Sequence, residues 1–368
     1  LIKSAASDVP RIDFSDSTSG ALLLEPQRSN LITYSEAFDN GYWIKNGLLT
    51  PTSGFLSPNG DLSAFKIVED TSNAVHRIRI SSLASGAAAS KEFTYSFFVK
   101  KSEVKWFLLK GVVNTQSLTV NVWFDLENGV IGTESNGSGK IENYGNDWYR
   151  CSINIATNSS ATSINVYGYL ADDDNSESYQ GDGTSGLYIY GAQLEQSFAT
   201  SYIPSLSGST TTRLADVCNN SGSAQDFNSE EGVLYAEISA SESATNKYIN
   251  IYKDANNRIL LWITSSGTIR GYAIVNSSGS NVFIDTVGVD VTNNNKIALR
   301  WQGFTLSLFV NGTKIGDSTV TNNFSMMGLT TLDLKDVTNV NHFYGKTKDL
   351  QVFTEAKSDE QLAALTTI

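Results

Sequence analysis

The chain has 368 residues and a formal net charge of -12, and only 17% of its residues are charged. Nucleic acids and anionic membrane surfaces would repel such a chain, so neither is an expected partner. No apolar run is long enough to insert across a bilayer, and two cysteines exclude both a disulfide framework and a cysteine-rich zinc site. Because the sequence begins without an initiator Met or a signal-peptide pattern, we expect a fragment of a longer polypeptide.

Residues 1–27 predict an extended N-terminal segment, and residues 28–204 then run as one strand after another. The segments "EFTYSFFVK", "SLTVNVWFDLENG", "WYRCSINIA", "TSINVYGYL" and "GLYIYGAQL" alternate apolar and polar residues between Gly, Asn and Asp turns. A period of two broken by such turns is typical of strands that are buried on one face. The pattern therefore predicts an all-β sandwich.

A stretch rich in Ser, Thr and Gly, "ATSYIPSLSGSTTTRLADVCNNSGS", interrupts this alternation. We place a domain boundary near residue 205, because such stretches connect compact domains. Further alternating strands follow, so residues 205–368 predict a second sandwich. Within it, Asn311-Gly312 predicts a type I′ hairpin, because both positions of that turn need positive φ.

The chain closes with "KSDEQLAALTT", which predicts a short helix. Ser358 can cap its first turn while Gln361 reaches back to the cap, as in a capping box. Leu362 and Leu365 form an apolar stripe along this helix. We expect that stripe to dock on the second sandwich.

Several segments carry a family resemblance, and the first of the two resemblances spans roughly residues 22–217. "EPQRSNLITYSEAFDNGYW", "NDWYRCSI" and "GDGTSGLYIYGAQLEQSFATSYIP" resemble a module of bacteriophage tail-fibre and other virion proteins that is related to jelly-roll carbohydrate-binding modules. "ALRWQGFTLSLFVNGTKIG" and "GKTKDLQVFTEAKSDEQLAAL" resemble a concanavalin-A-like, laminin-G-like sandwich. The resemblance implies two jelly-roll β-sandwich domains in series, residues 28–204 and 205–368. It also implies an extracellular place on the phage tail or capsid surface, other virion proteins as partners, and a homotrimer as the assembly.

The stretch "YQGDGTSGLYIYGAQLEQ", which follows "ADDDNSES", fits a phosphate loop, a calcium loop or a turn before a strand. A phosphate loop needs a helix N-terminus, and here a strand follows. An EF-hand fails because Glu177 stands where Gly is required. The resemblance to jelly-roll modules still implies a structural Ca²⁺, with Asp39, Asp182 and Glu195 as the acids of the matching motifs. The alternative is a solvated acidic loop, with Glu195 in a surface ion pair.

Catalysis is not expected from this sequence. Two histidines, His76 and His342, supply too few partners for a histidine metal site or a catalytic triad. Glycoside hydrolysis needs only two carboxylates. Concanavalin-like hydrolases, however, carry two Glu on one strand, and "LYAEIS" in the second domain offers only Glu237.

Large aromatic side chains on the polar face of a strand are candidates for sugar contacts, because sugar rings stack on aromatic faces. Trp123 alternates with the apolar set of its strand, and Tyr167 and Tyr169 do the same in theirs. The candidate ligand contacts are Asn121, Trp123, Asp125, Arg150, Tyr167 and Tyr169 in the first domain and Trp262, Arg270 and Arg300 in the second. The alternative is that these side chains pack under loops, against the other domain or at a subunit contact.

The sequence therefore predicts a non-catalytic adhesin fragment of a phage virion, a tail-fibre or receptor-binding protein. Its expected partner is a bacterial surface polysaccharide on the host. One alternative is a structural or decoration protein that binds other virion proteins. Another is the carbohydrate-binding region of a secreted polysaccharide-degrading enzyme.

Overall fold

The structure is a computed structural model that describes residues 9–276 and 281–368. Almost all of its regular structure is β, with one short C-terminal α-helix, which confirms the predicted fold class. The chain forms two compact units, the first spanning residues 27–214 and the second combining residues 9–26 with residues 215–368. In the part of the chain that the structure describes, no helix has the length and apolar character needed to cross a bilayer.

Two strands precede the first unit in the chain and belong to the second, β1 (Ile12–Asp13) and β2 (Ala21–Leu24). The strands of the first unit are β3 (Arg28–Asn30), β4 (Ile44–Asn46), β5 (Thr52–Phe55), β6 (Ala64–Val68), β7 (Asn73–Ala74), β8 (His76–Leu83), β9 (Glu92–Lys101), β10 (Trp106–Asn114), β11 (Leu118–Asp125), β12 (Val130–Ser135), β13 (Gly139–Gly145), β14 (Trp148–Ala156), β15 (Ser163–Ala171), β16 (Tyr179–Gln180), β17 (Gly186–Gln196) and β18 (Thr211–Arg213).

The first unit is a sandwich of two antiparallel six-stranded sheets. One has the order β12-β11-β10-β15-β8-β4 and the other the order β13-β14-β9-β17-β6-β5. The predicted alternation holds in β11, where Val120, Val122 and Phe124 are buried in the core of this unit. Two-stranded pairs complete the unit, β16 with β7 and β18 with β3.

The remaining elements all belong to the second unit. They are β19 (Glu231–Ala240), β20 (Lys247–Asp254), β21 (Asn257–Ile263), β22 (Ile269–Ile274), β23 (Asn281–Asp285), β24 (Asn295–Gln302), β25 (Thr305–Val310), β26 (Thr313–Thr319), a 3-10 turn at Phe324–Met326, β27 (Thr331–Asp333), β28 (Gly345–Phe353) and α1 (Asp359–Thr366). Together with β1 and β2, these strands form a seven-stranded sheet of order β1-β2-β28-β19-β24-β25-β26 and a five-stranded sheet of order β23-β22-β21-β20-β27.

The N-terminal segment is part of the second unit's seven-stranded sheet. Strand β2 pairs with β28, with Leu22 opposite Thr347, and Leu24 is buried in the core of that unit. The units divide after Leu214, whereas the sequence suggested residue 205, because β18 pairs with β3 inside the first unit. Residues 1–8 of the predicted N-terminal segment lie outside the described residues.

Two local predictions in the second unit are confirmed. Asn311 and Gly312 connect β25 to β26 with φ angles of 51° and 81°, as a type I′ turn requires. Ser358 caps α1 in a complete capping box with Gln361. Leu362 is fully buried, and its cluster covers one face of the seven-stranded sheet.

Candidate functional site

The first unit's β12-β11-β10-β15-β8-β4 sheet carries the predicted aromatic set on the face that points away from the core. Trp123 in β11 and Tyr169 in β15 both lie opposite Leu108 of the central strand β10. We call this group the covered cluster. Its buried members are Leu108, Trp123, Tyr169 and Ala171, and its partly buried members are Val75, Trp106 and Tyr167.

The prediction that Trp123 is an exposed stacking platform is wrong. Trp123 is 3% exposed and Tyr169 is 0% exposed. The chain between β15 and β16, residues 172–178, returns over this face, and we call it the acidic loop. The indole Nε1 of Trp123 donates a hydrogen bond of 3.0 Å to the carbonyl oxygen of Ser176 in that loop. Alternation along β11 identifies the face, but it cannot show that a loop closes over it.

Two carboxylates fasten the acidic loop to the sheet. The carboxylate of Asp174 accepts hydrogen bonds from the backbone N–H of Thr133 at 2.8 Å and from its hydroxyl at 3.0 Å. The carboxylate of Glu177 accepts hydrogen bonds from Lys110 Nζ with both oxygens, at 2.9 and 2.8 Å. The loop is therefore held down by charge-assisted contacts to β12 and β10.

Cationic side chains lie directly on the aromatic rings under this loop. The Arg77 guanidinium lies 5.0 Å from the ring centre of Tyr167 and 5.3 Å from that of Tyr169. Arg77 Nη1 also donates a hydrogen bond of 2.6 Å to the hydroxyl of Tyr169. Lys110 Nζ lies 5.6 Å from the ring centre of Tyr169. The face thus combines aromatic rings with two cations, an arrangement stabilised by cation–π attraction.

The polar neighbours predicted beside Trp123 have other roles. Asp125 Oδ1 accepts hydrogen bonds from the backbone N–H groups of Glu127 at 2.8 Å and of Asn128 at 3.1 Å. Its Oδ2 accepts a third from Asn128 Nδ2 at 2.7 Å. The Asp125 carboxylate is therefore committed to the turn after β11, contrary to the prediction of a ligand contact. Asn121 Oδ1 is buried without a hydrogen-bond partner among the described residues.

Arg150 and Glu195, predicted as a ligand contact and a calcium ligand, meet instead in a buried network of the other sheet. Arg150 Nη2 lies 3.9 Å from Glu195 Oε1, and both side chains are almost fully buried. Arg150 donates to the carbonyl of Thr200 at 2.7 Å and to the hydroxyl of Ser96 at 3.1 Å. Glu195 accepts from the Thr200 N–H at 2.9 Å, from its hydroxyl at 2.6 Å and from Gln193 Nε2 at 2.6 Å. These motif residues therefore fasten the segment after β17 to the sandwich.

The structure does not bring the three acids predicted as calcium ligands together in a group that could hold a metal ion. Asp182 Oδ1 accepts from the N–H groups of Thr184 at 2.6 Å and Ser185 at 2.7 Å, and its Oδ2 accepts from the Ser185 hydroxyl at 2.7 Å. The hydroxyl and N–H of Ser185, followed by those of Thr184, hold the pKa of Asp182 well below its ordinary value. The Glu195 carboxylate accepts hydrogen bonds from Thr200 and Gln193, and the Asp39 side chain is exposed. Across residues 9–276 and 281–368, no group of three or more His, Cys, Asp or Glu side chains could hold a metal ion.

In the second unit, Arg300 does not share a face with the other predicted contacts. It lies on β24 of the seven-stranded sheet, whereas Trp262 and Arg270 lie on β21 and β22 of the five-stranded sheet. Arg300 Nη1 is 2.7 Å from Asp359 Oδ1 and donates to the Lys357 carbonyl at 2.8 Å. Its charge therefore anchors the first turn of α1, so this predicted ligand contact lies apart from Trp262 and Arg270.

Trp262 and Arg270 belong to a row of side chains that crosses β20, β21, β22 and β23. We call Tyr248, Trp262, Arg270 and Phe283 the aromatic row. The rings of Tyr248 and Trp262 stack with centroids 5.3 Å apart and an interplanar angle of 16°. The Arg270 guanidinium lies 4.6 Å from the ring centre of Trp262 and 4.4 Å from that of Phe283. Because Tyr248 and Arg270 flank Trp262, its faces are occupied by protein.

The end of the aromatic row at Phe283 is open to solvent. Phe283 is 54% exposed. Asp285, two residues further along β23, forms a bidentate pair with Arg270 at 2.6 and 2.8 Å, which raises the pKa of Arg270. Asp285 and Arg270 remain 34% and 22% exposed. The sequence reasoning missed Phe283, although the alternation in "NVFID" places it on the outward face.

This end of the row offers an aromatic surface beside groups that can donate and accept hydrogen bonds. A sugar ring can pack its apolar face on Phe283, while its hydroxyls bond to the Asp285 carboxylate and the Arg270 guanidinium. Trp262 would contribute only its edge. The arrangement thus supports binding of a polar ring compound at an exposed sheet surface.

No protein-family model matches the chain, and no curated protein matches it. Among solved structures, the chain is similar to the CBM40 of the Ruminococcus gnavus IT-sialidase bound to alpha2,3 sialyllactose, at 18% identity and a TM-score of 0.35, covering 41% of this chain and 95% of that one. It is similar to domains LG4-5 of the mouse laminin alpha1 chain, at 10% identity and a TM-score of 0.28, covering 78% and 90%. It is also similar to the full-length tailspike protein 2 from Escherichia coli O157:H7 bacteriophage CAB120, at 12% identity and a TM-score of 0.32, covering 39% and 23%. At TM-scores this low, none of these similarities supports an argument about ligand or activity.

Proposed function

We propose that this chain is a non-catalytic, glycan-binding part of a bacteriophage tail fibre or receptor-binding protein, and that it recognises a bacterial surface polysaccharide. The observation that carries the glycan-binding proposal is the exposed ring of Phe283 beside the Arg270–Asp285 pair. The resemblance of the sequence segments quoted above to virion modules supports the place of the protein in a phage particle.

The chemistry of this surface suits a weak, repeated interaction. One free face of Phe283 stacks one sugar ring, and such a contact with a few hydrogen bonds gives a dissociation constant of roughly micromolar to millimolar. Several copies of the chain on one particle would engage several sugars of a polysaccharide, which raises the overall affinity without new contacts.

The proposal that the chain is non-catalytic rests on how Asp285, the acid at this surface, is bonded. A glycosidase needs one carboxylic acid that protonates the leaving group and a second carboxylate that acts as base or nucleophile. Both oxygens of Asp285 accept hydrogen bonds from Arg270, so this carboxyl group is engaged in an ion pair and is not free to act on a leaving group.

The test is a bacterial glycan array probed with the full chain and with Phe283→Ala. We expect the wild type to bind at least one surface polysaccharide and Phe283→Ala to lose about ten-fold in affinity, since stacking supplies much of the contact. Phe304→Ala is the matched control, because Phe304 is 47% exposed at the β24–β25 turn of the other sheet. Equal binding by wild type and Phe283→Ala would move recognition away from the row. A release of reducing sugar ends during incubation would overturn the non-catalytic assignment.

A further inference from the structure

We propose that the covered cluster of the first unit is a second, closed binding site, and that Glu177 of the acidic loop is its built-in ligand. The external ligand is a carboxylate-bearing sugar, whose carboxylate replaces that of Glu177 on Lys110 when the loop opens. This site is independent of the aromatic row in the second unit.

The first argument is the chemistry beneath the loop. Glu177 presents both oxygens to Lys110 Nζ, and the two side chains are 36% and 16% exposed. Arg77 lies over the rings of Tyr167 and Tyr169, and Lys110 lies over the ring of Tyr169. A floor of aromatic rings with two cations recognises a compound that has both a ring and an anionic group. A uronic acid is such a compound.

The second argument is how the acidic loop is attached. Among the described residues, the backbone–backbone hydrogen bond of this loop runs from Ser176 to Asp173, inside the loop itself. Each of its hydrogen bonds to the sheet uses at least one side chain: the Trp123 indole donates to Ser176, the Asp174 carboxylate accepts from Thr133, and Lys110 donates to Glu177. The loop can therefore lift without breaking any hydrogen bond of the sheet ladders. Segments attached in this way open at a lower free energy than the strands beneath them.

The ends of the loop are fixed, so the movement is confined to residues 172–178. On one side lies the end of β15. On the other side β16 pairs with β7, and the Tyr179 ring lies 4.6 Å from the His76 ring. The Tyr179 hydroxyl also donates to the carboxylate of Glu69. The segment between these two fixed ends carries its own carboxylate to Lys110.

A glycine makes room for the closed loop. A Cβ on Gly132 would lie 2.5 Å from Asp174 Oδ1 and 2.6 Å from Cζ3 of Trp106. The backbone of Gly132 does not lie in the left-handed region. Ala at this position therefore displaces the Asp174 contact and leaves the strand conformation allowed. Gly132→Ala is a variant that favours the open loop.

Charge limits how the ligand is recognised. With a net charge of -12, the chain exerts no long-range attraction on an anion. Contacts within one Debye length, about 8 Å at physiological salt, must therefore supply the recognition. Lys110 and Arg77 are such contacts, and the Glu177 carboxylate competes for the first of them.

The experiment is a calorimetric titration of the full chain with trigalacturonate. Its methyl ester keeps the rings and removes the charge, acetate supplies the carboxylate alone, and a poly-glutamate peptide supplies carboxylates without sugar. We expect measurable binding for trigalacturonate only. Glu177→Gln should bind it about ten-fold more tightly, because the fraction of open, competent protein rises. Asp173→Asn removes the same charge from an exposed loop position and should stay within about two-fold of wild type.

A second measurement follows the loop itself by hydrogen exchange. The Thr133 amide donates to Asp174 in the closed loop. In the wild-type chain its hydrogen exchange should become faster when trigalacturonate is added. In Gly132→Ala it should already be faster than in the wild type without ligand. Lys110→Met should lose the binding in both the wild-type and the Glu177→Gln background, with melting temperatures recorded to establish folding.

The proposal is overturned if Glu177→Gln does not tighten binding, if neither protein binds trigalacturonate, or if the ester, acetate or peptide binds equally well. A hydrogen-exchange rate of the Thr133 amide that does not change when trigalacturonate is added would also overturn it, and this measurement needs no variant. Trigalacturonate binding that persists in Phe283→Ala and is lost in Lys110→Met belongs to this site, so the two proposals fail separately.

Discussion

The indole Nε1 of Trp123 donates a hydrogen bond of 3.0 Å to the carbonyl oxygen of Ser176, and this contact joins β11 to the acidic loop. The indole packs with Leu108, Tyr169 and Ala171 on the outward face of its sheet. Trp123 therefore contributes to stability as a buried side chain, in the same way as a residue of the main core.

Trp123→Ala should destabilise the first unit by about 3 kcal/mol, since large-to-small changes of a buried aromatic leave a cavity. The measurement is the free energy of unfolding from a urea titration. Trp123→Phe keeps most of the packing and loses the indole hydrogen bond, so its effect should be about 1 kcal/mol. An exposed stacking residue would instead show almost no loss of stability in either variant.

Replacing one member of the buried Arg150–Glu195 network should be costly. Arg150→Met leaves the buried Glu195 carboxylate without the cation that lies 3.9 Å away, and Glu195→Gln removes the buried anion beside the guanidinium, so each should lower stability by about 3 kcal/mol. The double variant should lose less than the sum of the two. A double-mutant cycle in urea measures this difference. Simple additivity would show that the two charges do not interact.

The pKa of Asp182 should be depressed, and Ser185→Ala should return it toward its ordinary value of 3.8, because the Ser185 hydroxyl is the main cause. A carboxyl whose folded pKa is lowered stabilises the protein above the ordinary pKa and loses this contribution as the pH falls toward the folded pKa. The Asp182→Asn variant should therefore show a flatter loss of melting temperature below about pH 4. Carboxyl titration by NMR measures the pKa directly, and an unchanged value in Ser185→Ala would contradict the assigned cause.

Melting curves of the first unit should be the same in chelator and in millimolar calcium. A metal that binds only the folded state would raise the melting temperature by mass action. Asp182 is occupied by its own turn and Glu195 by Thr200 and Gln193, so neither oxygen set is free for a cation. A rise of several degrees with calcium would mean that other oxygens form a site.

A chain that begins at residue 27 should have a less stable second unit. It lacks β2, whose Leu24 is buried in the core of that unit and whose backbone pairs with β28. The melting transition of the second unit should fall while that of the first stays in place, as followed by calorimetry. Leu24→Asp in the full chain should act in the same direction, and Ile12→Ala, at a residue that is 46% exposed, should have little effect.

Local signals in the sequence predicted what depends on neighbours in the chain. The alternation in β11, the Asn311-Gly312 turn and the Ser358 cap each involve residues a few positions apart, and each is present in the structure. Alternation also places Phe283 on the outward face, but the sequence alone does not show that its ring is more exposed than other outward side chains. These features follow from backbone conformation and from the period of the strand.

Features that depend on distant pairings could not be predicted from one sequence. The acidic loop covers Trp123 because β16 returns to pair with β7, and β2 joins the second unit through a partner near the C-terminus. The charges of Arg150 and Glu195 made them candidates for ligands, yet the fold uses the same charges internally. A charged motif residue indicates a strong interaction but not whether its partner is a ligand or the protein itself.

The antiparallel pair of β3 and β18, which sets Arg28 opposite Arg213, brings together the two ends of the first unit. Strand β2 and its partner β28 lie on either side of that whole unit in the chain. The entropic cost of closing a loop grows with the logarithm of its length, so an effective loop that is roughly 2.4-fold shorter closes at a cost lower by about 0.8 kcal/mol. Once folded, the first unit replaces most of the intervening chain with a short connection. It thereby accelerates the closure of the seven-stranded sheet, so mutations that slow its own folding will also delay the assembly of a sheet to which it contributes no strand.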